Sequence, residues 1–321
     1  MPISEFDLIA RYFARQDVRR PDVPLGVGDD CALLRAPAGM DLAVTTDTLV
    51  AGVHFPENAH PEALGHKALA VNLSDLAAMG AEPAWAMLAL TLPQADEAWL
   101  EAFARGLLGL AARYGVQLVG GDTTRGPLSV TLQVFGFVPQ GKALRRDAAQ
   151  PGDLICVTGT LGDAGLGLRI AQGKLAAPAP YAEYLLGRLE RPVPRVETGL
   201  ALRGLAHAAI DVSDGLVADL GHILDSSGVG ATVQVERIPV SAAFRELAAD
   251  DWNTALGSGD DYELCFTLPP ERRAELEKSC AERGECCTCI GVIEQRPGLR
   301  LLRNDGSAFD LAAQGYDHFR G

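Results

Sequence analysis

The chain has 321 residues, enough for two domains of ordinary size, and its 48% hydrophobic and 22% charged content is that of a folded globular protein, not a disordered one. Its 28 basic against 42 acidic residues give a net charge of −14, which argues against a nucleic-acid surface, since phosphate backbones are bound by clustered Lys and Arg. If so acidic a protein handles anionic ligands, the positive charge must come from elsewhere.

Taken in chain order, MPISEFDLIARYFARQDVRR sets Phe6, Ile9 and Phe13 at helical spacing with no basic stretch ahead of an apolar core. It reads as an amphipathic helix, not a leader. No apolar run approaches the ~20 residues of a membrane span, and the expected location is the cytoplasm. GVGDD follows, with Asp29 and Asp30 closing a glycine-rich turn. Asp tolerates turn geometry, so a solvated turn and a metal or phosphate site stay equally open there.

LAVTTD is a β-prone run ending at Asp47. GHKALAVNLSDLAAMGAEP reads as a helix with Leu69, Leu73 and Leu76 on one side and a stop at Gly80 and Pro83. Asp75 lies off that stripe, so a helix would aim it away from the packing face. DEAWLEAFARGLLGLAARYG is a second amphipathic helix, closed by Gly115. VQLVGGDTT passes Asp122, and LSVTLQVFGFVPQG alternates like a strand. Polar, turn-rich PQGKALRRDAAQPGD marks a boundary between domains at 1–139 and 150–321.

Beyond it, DLICVTGTLGDAGLGLRI predicts strand, glycine turn and helix, without the G-x-G-x-x-G spacing of a dinucleotide site. RPVPRVETG is a proline-stiffened connector, and HAAIDVSDG passes Asp211 and Asp214. The cluster CCTC, with Cys280 nearby, lacks the second knuckle of a zinc site and reads as reduced cysteines near a C-terminal strand. There is no P-loop and no protein-kinase H-R-D or D-F-G.

Asp29, Asp30, Thr45, Thr46, Asp47, Asp75, Asp122, Asp211 and Asp214 are all oxygen donors at turns, strand ends or a helix face. Hard divalent cations, Mg2+ in particular, take such ligands and share them with substrate phosphates. Only His54 and His66 lie near the set, without an H-E-x-x-H, which argues against a zinc hydrolase. Several magnesium ions would turn an acidic pocket into one that attracts polyphosphate. Singly, each Asp reads equally well as a turn or helix cap.

In order, GVGDDCAL, TTDTLVAGVHF, HKALAVNLSDLAAMGA, GGDTTRG, DVSDGL and SGDDYELCF resemble the thiamine-monophosphate kinases. That family shares a superfamily with aminoimidazole ribonucleotide synthetase and selenophosphate synthetase. The resemblance runs from FDLIARYF to GYDHF and implies a two-domain α+β fold. Its N-terminal mixed α/β domain would bind ATP and magnesium and pair its sheet with a second copy. Its C-terminal α/β domain would complete the nucleotide and substrate sites.

The implied reaction is phosphorylation of thiamine monophosphate by ATP with several Mg2+ ions. By motif, Asp30, Thr45, Thr46, Asp47, Asp75, Asp122, Asp211 and Asp214 would be metal ligands. Gly121, Asp122, Arg146 and Ser213 would face ATP; His54, Glu263 and Phe319 would face thiamine. The usual Gly-Glu-Asp-Tyr-Glu-Leu here reads Gly259-Asp260-Asp261-Tyr262-Glu263-Leu264, keeping the acid but shortening it. Acidic Asp261 and Glu263 beside aromatic Tyr262 and Phe319 suit the thiazolium cation. Lys67 and Arg125 serve equally well as phosphate contacts or solvated surface. A sister synthetase of the superfamily and a non-catalytic metal-binding scaffold are the alternatives; nucleic acid and membrane are not expected partners.

Overall fold

The computed structural model describes residues 5–311, which gather into two compact units. One runs to Leu76 and resumes over Ala81–Gly141; the other takes Ala77–Gly80 and the chain from Lys142 onward. Among the described residues, no helix is long and apolar enough to cross a membrane.

The first unit begins with α1 (Glu5–Leu8) and a π-helical turn, Ile9–Phe13. The expected helix is therefore broken into two short pieces. Leu8, Tyr12 and Phe13 are buried, a spacing of four and then one that suits the wider π turn, whereas Ile9 stays half-buried. Phe13 meets Phe103 edge-on at 6.5 Å.

Four strands, β1 (Met40–Val50), β2 (Glu82–Leu92), β3 (Gln117–Arg125) and β4 (Ser129–Pro139), form a sheet in the order β1-β4-β2-β3. β4 is antiparallel to β1 and β2, and β2 is parallel to β3. A parallel pair needs a crossover, and α3 (Glu97–Arg113) supplies it after α2 (Pro61–Ala78) has led from β1 to β2. Alternation sorts the two faces: Leu49, Val130, Leu132 and Val134 are buried, while Leu42 and Val44 are exposed on the other side. The helical stripe Leu69, Leu73 and Leu76 is buried as its periodicity predicts.

α2 and α3 touch backbone to backbone. A Cβ on Gly106 would sit 1.9 Å from the Glu62 carbonyl oxygen, and one on Gly65 2.2 Å from that of Phe103. The two glycines are reciprocal notches that let the helices cross closely.

The second unit holds β5 (Leu154–Thr158), β6 (Ala208–Asp211), β7 (Gly230–Gln234), β8 (Leu264–Leu268), β9 (Cys287–Glu294) and β10 (Gly298–Leu302), in the order β10-β7-β9-β5-β8-β6. β10 and β7 are parallel and the other pairs antiparallel. Its helices are α4 (Asp163–Ala171), α5 (Ala179–Glu190), α6 (Val196–Leu202), α7 (Leu216–Ser227), α8 (Ala242–Ala248), α9 (Trp252–Gly257) and α10 (Arg273–Arg283). Ile155, Val157, Leu220, Ile223 and Phe244 anchor a core between sheet and helices. The fold is α+β, as expected, with mixed sheets in both units.

Adding a methyl at the α2–α3 crossing forces two backbones apart, and overpacking of this kind costs about 2–3 kcal/mol. Gly106→Ala is expected to lower the unfolding free energy by that amount in urea titration, whereas Gly109→Ala on the same helix, with nothing within 4 Å of its Cβ, should not destabilise.

Candidate active site

β1 delivers the first group of oxygens. Asp47 shares a row across the sheet with Leu132, Leu88 and Gly121. Leu132 and Leu88 are buried, so this row faces inward and takes the Asp47 carboxylate with it. Its Oδ2 is buried with no hydrogen-bond partner. Two residues earlier, Thr45 points to the same side and donates its hydroxyl to Asp75 Oδ2 on α2. The sequence places Asp75 off the leucine stripe and facing away; in the structure α2 is buried on nearly every side, so that second face meets β1 instead of water.

Burial pushes the Asp47 carboxyl up to about 7, and the neighbouring Asp75 charge adds to the effect. An orphaned buried oxygen beside a second carboxylate and a hydroxyl is a hard-donor set that a small divalent cation would satisfy. Among the described residues no three His, Cys, Asp or Glu side chains converge on one point. Mg2+ is commonly held by one or two carboxylates and completes its shell with phosphate oxygens and water.

The second group lies along the free edge of β3. Gln16 pairs with Leu118 in both directions, accepting from its N–H at 2.8 Å and donating to its carbonyl at 2.6 Å. Further on, the Arg20 N–H donates to Gln117 Oε1, and Asp22 accepts from Trp85 Nε1 at 3.0 Å. Burial works against the Asp22 charge, but Arg20 and Trp85 together hold its carboxyl below the usual range. This strap fixes the start of the GVGDD turn, which Leu33 closes by donating its N–H to the Leu25 carbonyl.

Between that turn and β3 opens a cleft of about 420 Å3, lined by Gly28, Asp29, Asp30, Gly121, Asp122 and Met87 among others. Gly121 can be no other residue: its φ is +151°, and a Cβ would lie 1.8 Å from the Leu88 carbonyl oxygen. Asp29 and Asp30 are exposed at the mouth, where the Asp30 N–H donates to Asp29 Oδ1.

Asp122 shares its row with Ala89, Thr131 and Thr48, so it is on the opposite face of the sheet from Asp47. Thr46 is exposed on that outer face too. β1 and β3 are the two edges of the sheet, three strand spacings or about 14 Å apart. Within this unit the candidate ligands therefore form two separate sets, not one cluster. His54 follows β1, and its Nδ1 accepts the Val50 N–H at 3.0 Å, which leaves the ring proton on Nε2. Lys67 is buried and Arg125 exposed.

The second unit carries the third group. Asp211 is buried at the end of β6, and Ser213 and Asp214 occupy the turn into α7. Asp219, in the first turn of α7, accepts the N–H groups of Ser213, Asp214 and Gly215 through one oxygen, at 3.0, 3.0 and 3.1 Å. Sequence reasoning passed over Asp219; an acid in the first turn of a helix that follows a glycine turn was the available signal. Segment 258–263 runs beside this turn, with Asp260 N–H donating to the Ser213 carbonyl and Tyr262 N–H to that of Val212. Asp260 and Tyr262 have φ of 68° and 50°, a left-handed conformation that side chains seldom adopt.

Glu263 does not face an open pocket. It is fully buried, Arg195 grips it with two bonds of 2.6 Å, Arg188 adds one of 2.9 Å, and Thr158 donates to it at 2.5 Å. Burial opposes its charge, but the two guanidinium groups outweigh that and hold the carboxyl low. Its charge is thus already matched, which replaces the expectation that it meets the thiazolium directly. Asp261 is buried beside it and accepts from the Gly162 and Ala164 N–H groups. Arg146 is exposed, its carbonyl accepting from Ser227, and the neighbouring Arg145 carbonyl accepts the Ala209 N–H of β6. Phe319 lies outside the described residues.

Family models agree with this architecture. Residues 28–138 match the N-terminal domain of AIR synthase related protein, and residues 150–304 match its C-terminal domain. Thiamine-monophosphate kinase of Escherichia coli (strain K12) is 53% identical over 325 aligned residues, 99% of each chain. The crystal structure of thiamine-monophosphate kinase from Stenotrophomonas maltophilia K279a is 51% identical with a TM-score of 0.88, covering 96% of this chain and 99% of that one. A third structure, AaThiL complexed with AMPPCP and TMP, is 32% identical with a TM-score of 0.78, covering 89% of each. The chain belongs to the thiamine-monophosphate kinase family within the AIR synthase-related proteins.

Two outcomes follow from the buried network. Arg195→Met leaves Glu263 with Arg188 and the Thr158 hydroxyl, and breaking a buried pair is expected to cost about 3 kcal/mol in chemical denaturation. Burial raises the Asp261 carboxyl from 3.8 to about 8. The stability it contributes is then full below about pH 4 and lost as pH rises through about 8. Asp261→Asn should flatten the stability profile across that window, measured by thermal melts at pH 5 and pH 8.

Proposed function

We infer that this chain transfers the terminal phosphoryl group of ATP to the phosphate of thiamine monophosphate, giving thiamine diphosphate and ADP. The observation that carries the reading is identity with thiamine-monophosphate kinases along the whole chain, together with an acidic oxygen-donor set at the motif positions. A relative holds AMPPCP and TMP, which stand for the nucleotide and the phosphate acceptor.

The chemistry asks little of a general base. A phosphate monoester has its second pKa near ~6, so an acceptor oxygen is already anionic at neutral pH. That oxygen attacks the γ-phosphorus in line, and the bond from phosphorus to the β–γ bridging oxygen breaks. The obstacle is bringing two anions together on an acidic protein, and such transfers are catalysed mainly by positioning and electrostatics. Magnesium held by these acids would supply the positive charge that offsets the repulsion between the two anions.

In this reading Asp30, Thr45, Thr46, Asp47, Asp75, Asp122, Asp211 and Asp214 hold the ions. Gly121, Asp122, Arg146 and Ser213 serve ATP, with Gly121 letting the nucleotide approach bare backbone. His54 offers its Nε2 proton to thiamine monophosphate, and Phe319 adds an aromatic face. Glu263 acts from behind, holding Arg188 and Arg195 in place. Residues 1–139 serve as the ATP, magnesium and dimerisation domain and residues 150–321 complete the sites. The exposed face bearing Leu42, Val44 and Met87 suits a second copy of the chain, which makes the working form a homodimer. An enzyme drawing on ATP in thiamine diphosphate synthesis belongs in the cytoplasm.

A coupled ADP-release assay with Mg2+ and thiamine monophosphate, free thiamine, an aminoimidazole precursor or no acceptor tests the reading. Turnover is expected with thiamine monophosphate alone; another acceptor would move the chain to a sister enzyme, and none to a scaffold. Asp47→Asn should keep its circular dichroism and lose about 100-fold or more in kcat. Phe319→Ala should raise KM for thiamine monophosphate and leave KM for ATP unchanged.

A further inference from the structure

Four cysteines that the kinase reaction does not use lie on one side of the second unit's sheet. Cys156 on β5 and Cys289 on β9 are direct partners in an antiparallel ladder, and their sulfurs are 2.7 Å apart. Cys287, two residues before Cys289, shares its face of β9 and stands 3.0 Å from Cys280 of α10. All four are free thiols.

We propose that Cys156 and Cys289 form a reversible dithiol, oxidised to an intrachain disulfide by a peroxide. Directly opposed residues of an antiparallel pair have Cα atoms ~4.5–5.5 Å apart, inside the ~4.4–6.8 Å range of disulfides. Their sulfurs need to close by well under an ångström to reach the ~2.05 Å bond. No rearrangement of the sheet is required.

The two thiols are unequal, which sets the order of events. Cys156 is fully buried, so oxidant reaches it poorly, whereas Cys289 is half-buried. The hydrogen bond shared with Cys156 and the Arg273 guanidinium, aided by Arg237 against Glu277, draw the Cys289 thiol down against the cost of burial. Cys156 moves up for the complementary reason. Burial and Cys280 push Cys287 up as well, so the neighbouring pair is the slower one.

The Cys289 thiolate attacks one peroxide oxygen: the S–O bond forms, the O–O bond breaks, and the departing hydroxide takes a proton to become water. The Cys156 sulfur then attacks the sulfenic sulfur and loses its proton. The S–S bond forms, the S–O bond breaks, and a second water leaves. Two thiols are oxidised by two electrons while one hydrogen peroxide is reduced to two waters. A small-molecule dithiol reverses the step by exchange.

Exposure alone would send peroxide elsewhere, because Cys31 and Cys286 are the exposed cysteines. The experiment treats the full-length folded protein with one equivalent of hydrogen peroxide at pH 7, blocks remaining thiols with iodoacetamide, and maps non-reduced peptides by mass spectrometry over time. The first product expected is a 156–289 crosslink, reversed by dithiothreitol, with Cys289 consumed before Cys31. In Cys156→Ala, Cys289 should stop at a sulfenic acid that dimedone traps. Initial loss at Cys31 or Cys286, or a first crosslink between any other pair, overturns the proposal, and the wild-type map decides even if the variant misfolds.

Discussion

A carboxylate taken out of water without a partner is the constraint on which the first unit is built. Asp47 is carried inward by the alternation of β1, into a row whose other members are leucines and a glycine. Left there, it drifts toward the neutral form, because burial and the Asp75 charge both oppose ionisation. A cation in reach would reverse that drift, and the net charge of −14 sets the same balance against anions on a larger scale. The edge cleft, with Asp30 and Asp122 on it, repeats the pattern in a wetter setting.

The second unit answers the opposite problem. Glu263 is more deeply buried than Asp47, yet it stays ionised because Arg188, Arg195 and Thr158 satisfy it. The contrast between the two acids is one of satisfaction: one is fully matched by side chains, while the other keeps a buried oxygen without a hydrogen-bond partner. Asp219 stands between the two: one oxygen gathers three successive N–H groups and so fixes the turn that displays Ser213 and Asp214, yet burial, with the Asp214 charge, still pushes its carboxyl up to about 7.

Much of this was legible in the sequence, for identifiable reasons. The leucine stripe of α2, the existence of the strands that carry Asp47 and Asp122, which run three residues past each acid, and the α+β class all rest on local periodicity and turn chemistry. What failed to show was tertiary. Asp75 meets Thr45 across 30 residues, and Glu263 meets Arg195 across 68, so no local pattern records either bond. Nor did the motifs reveal that Asp47 and Asp122 occupy opposite faces, because that depends on the register shift between Ala86 and Met87. The π turn at Ile9 likewise depends on what Tyr12 and Phe13 pack against, not on their spacing alone.

The dispersal of the acidic oxygens over two edges of one sheet has a consequence for the charge of the pocket. Two carboxylates and a hydroxyl would leave most of a magnesium shell to be filled from outside the protein, by water and by phosphate oxygens. The anionic oxygens that could close the shell belong to the two phosphorylated substrates. A pocket built this way would draw part of its charge balance from whatever it binds, so the placement of the acids ties its electrostatics to its occupants.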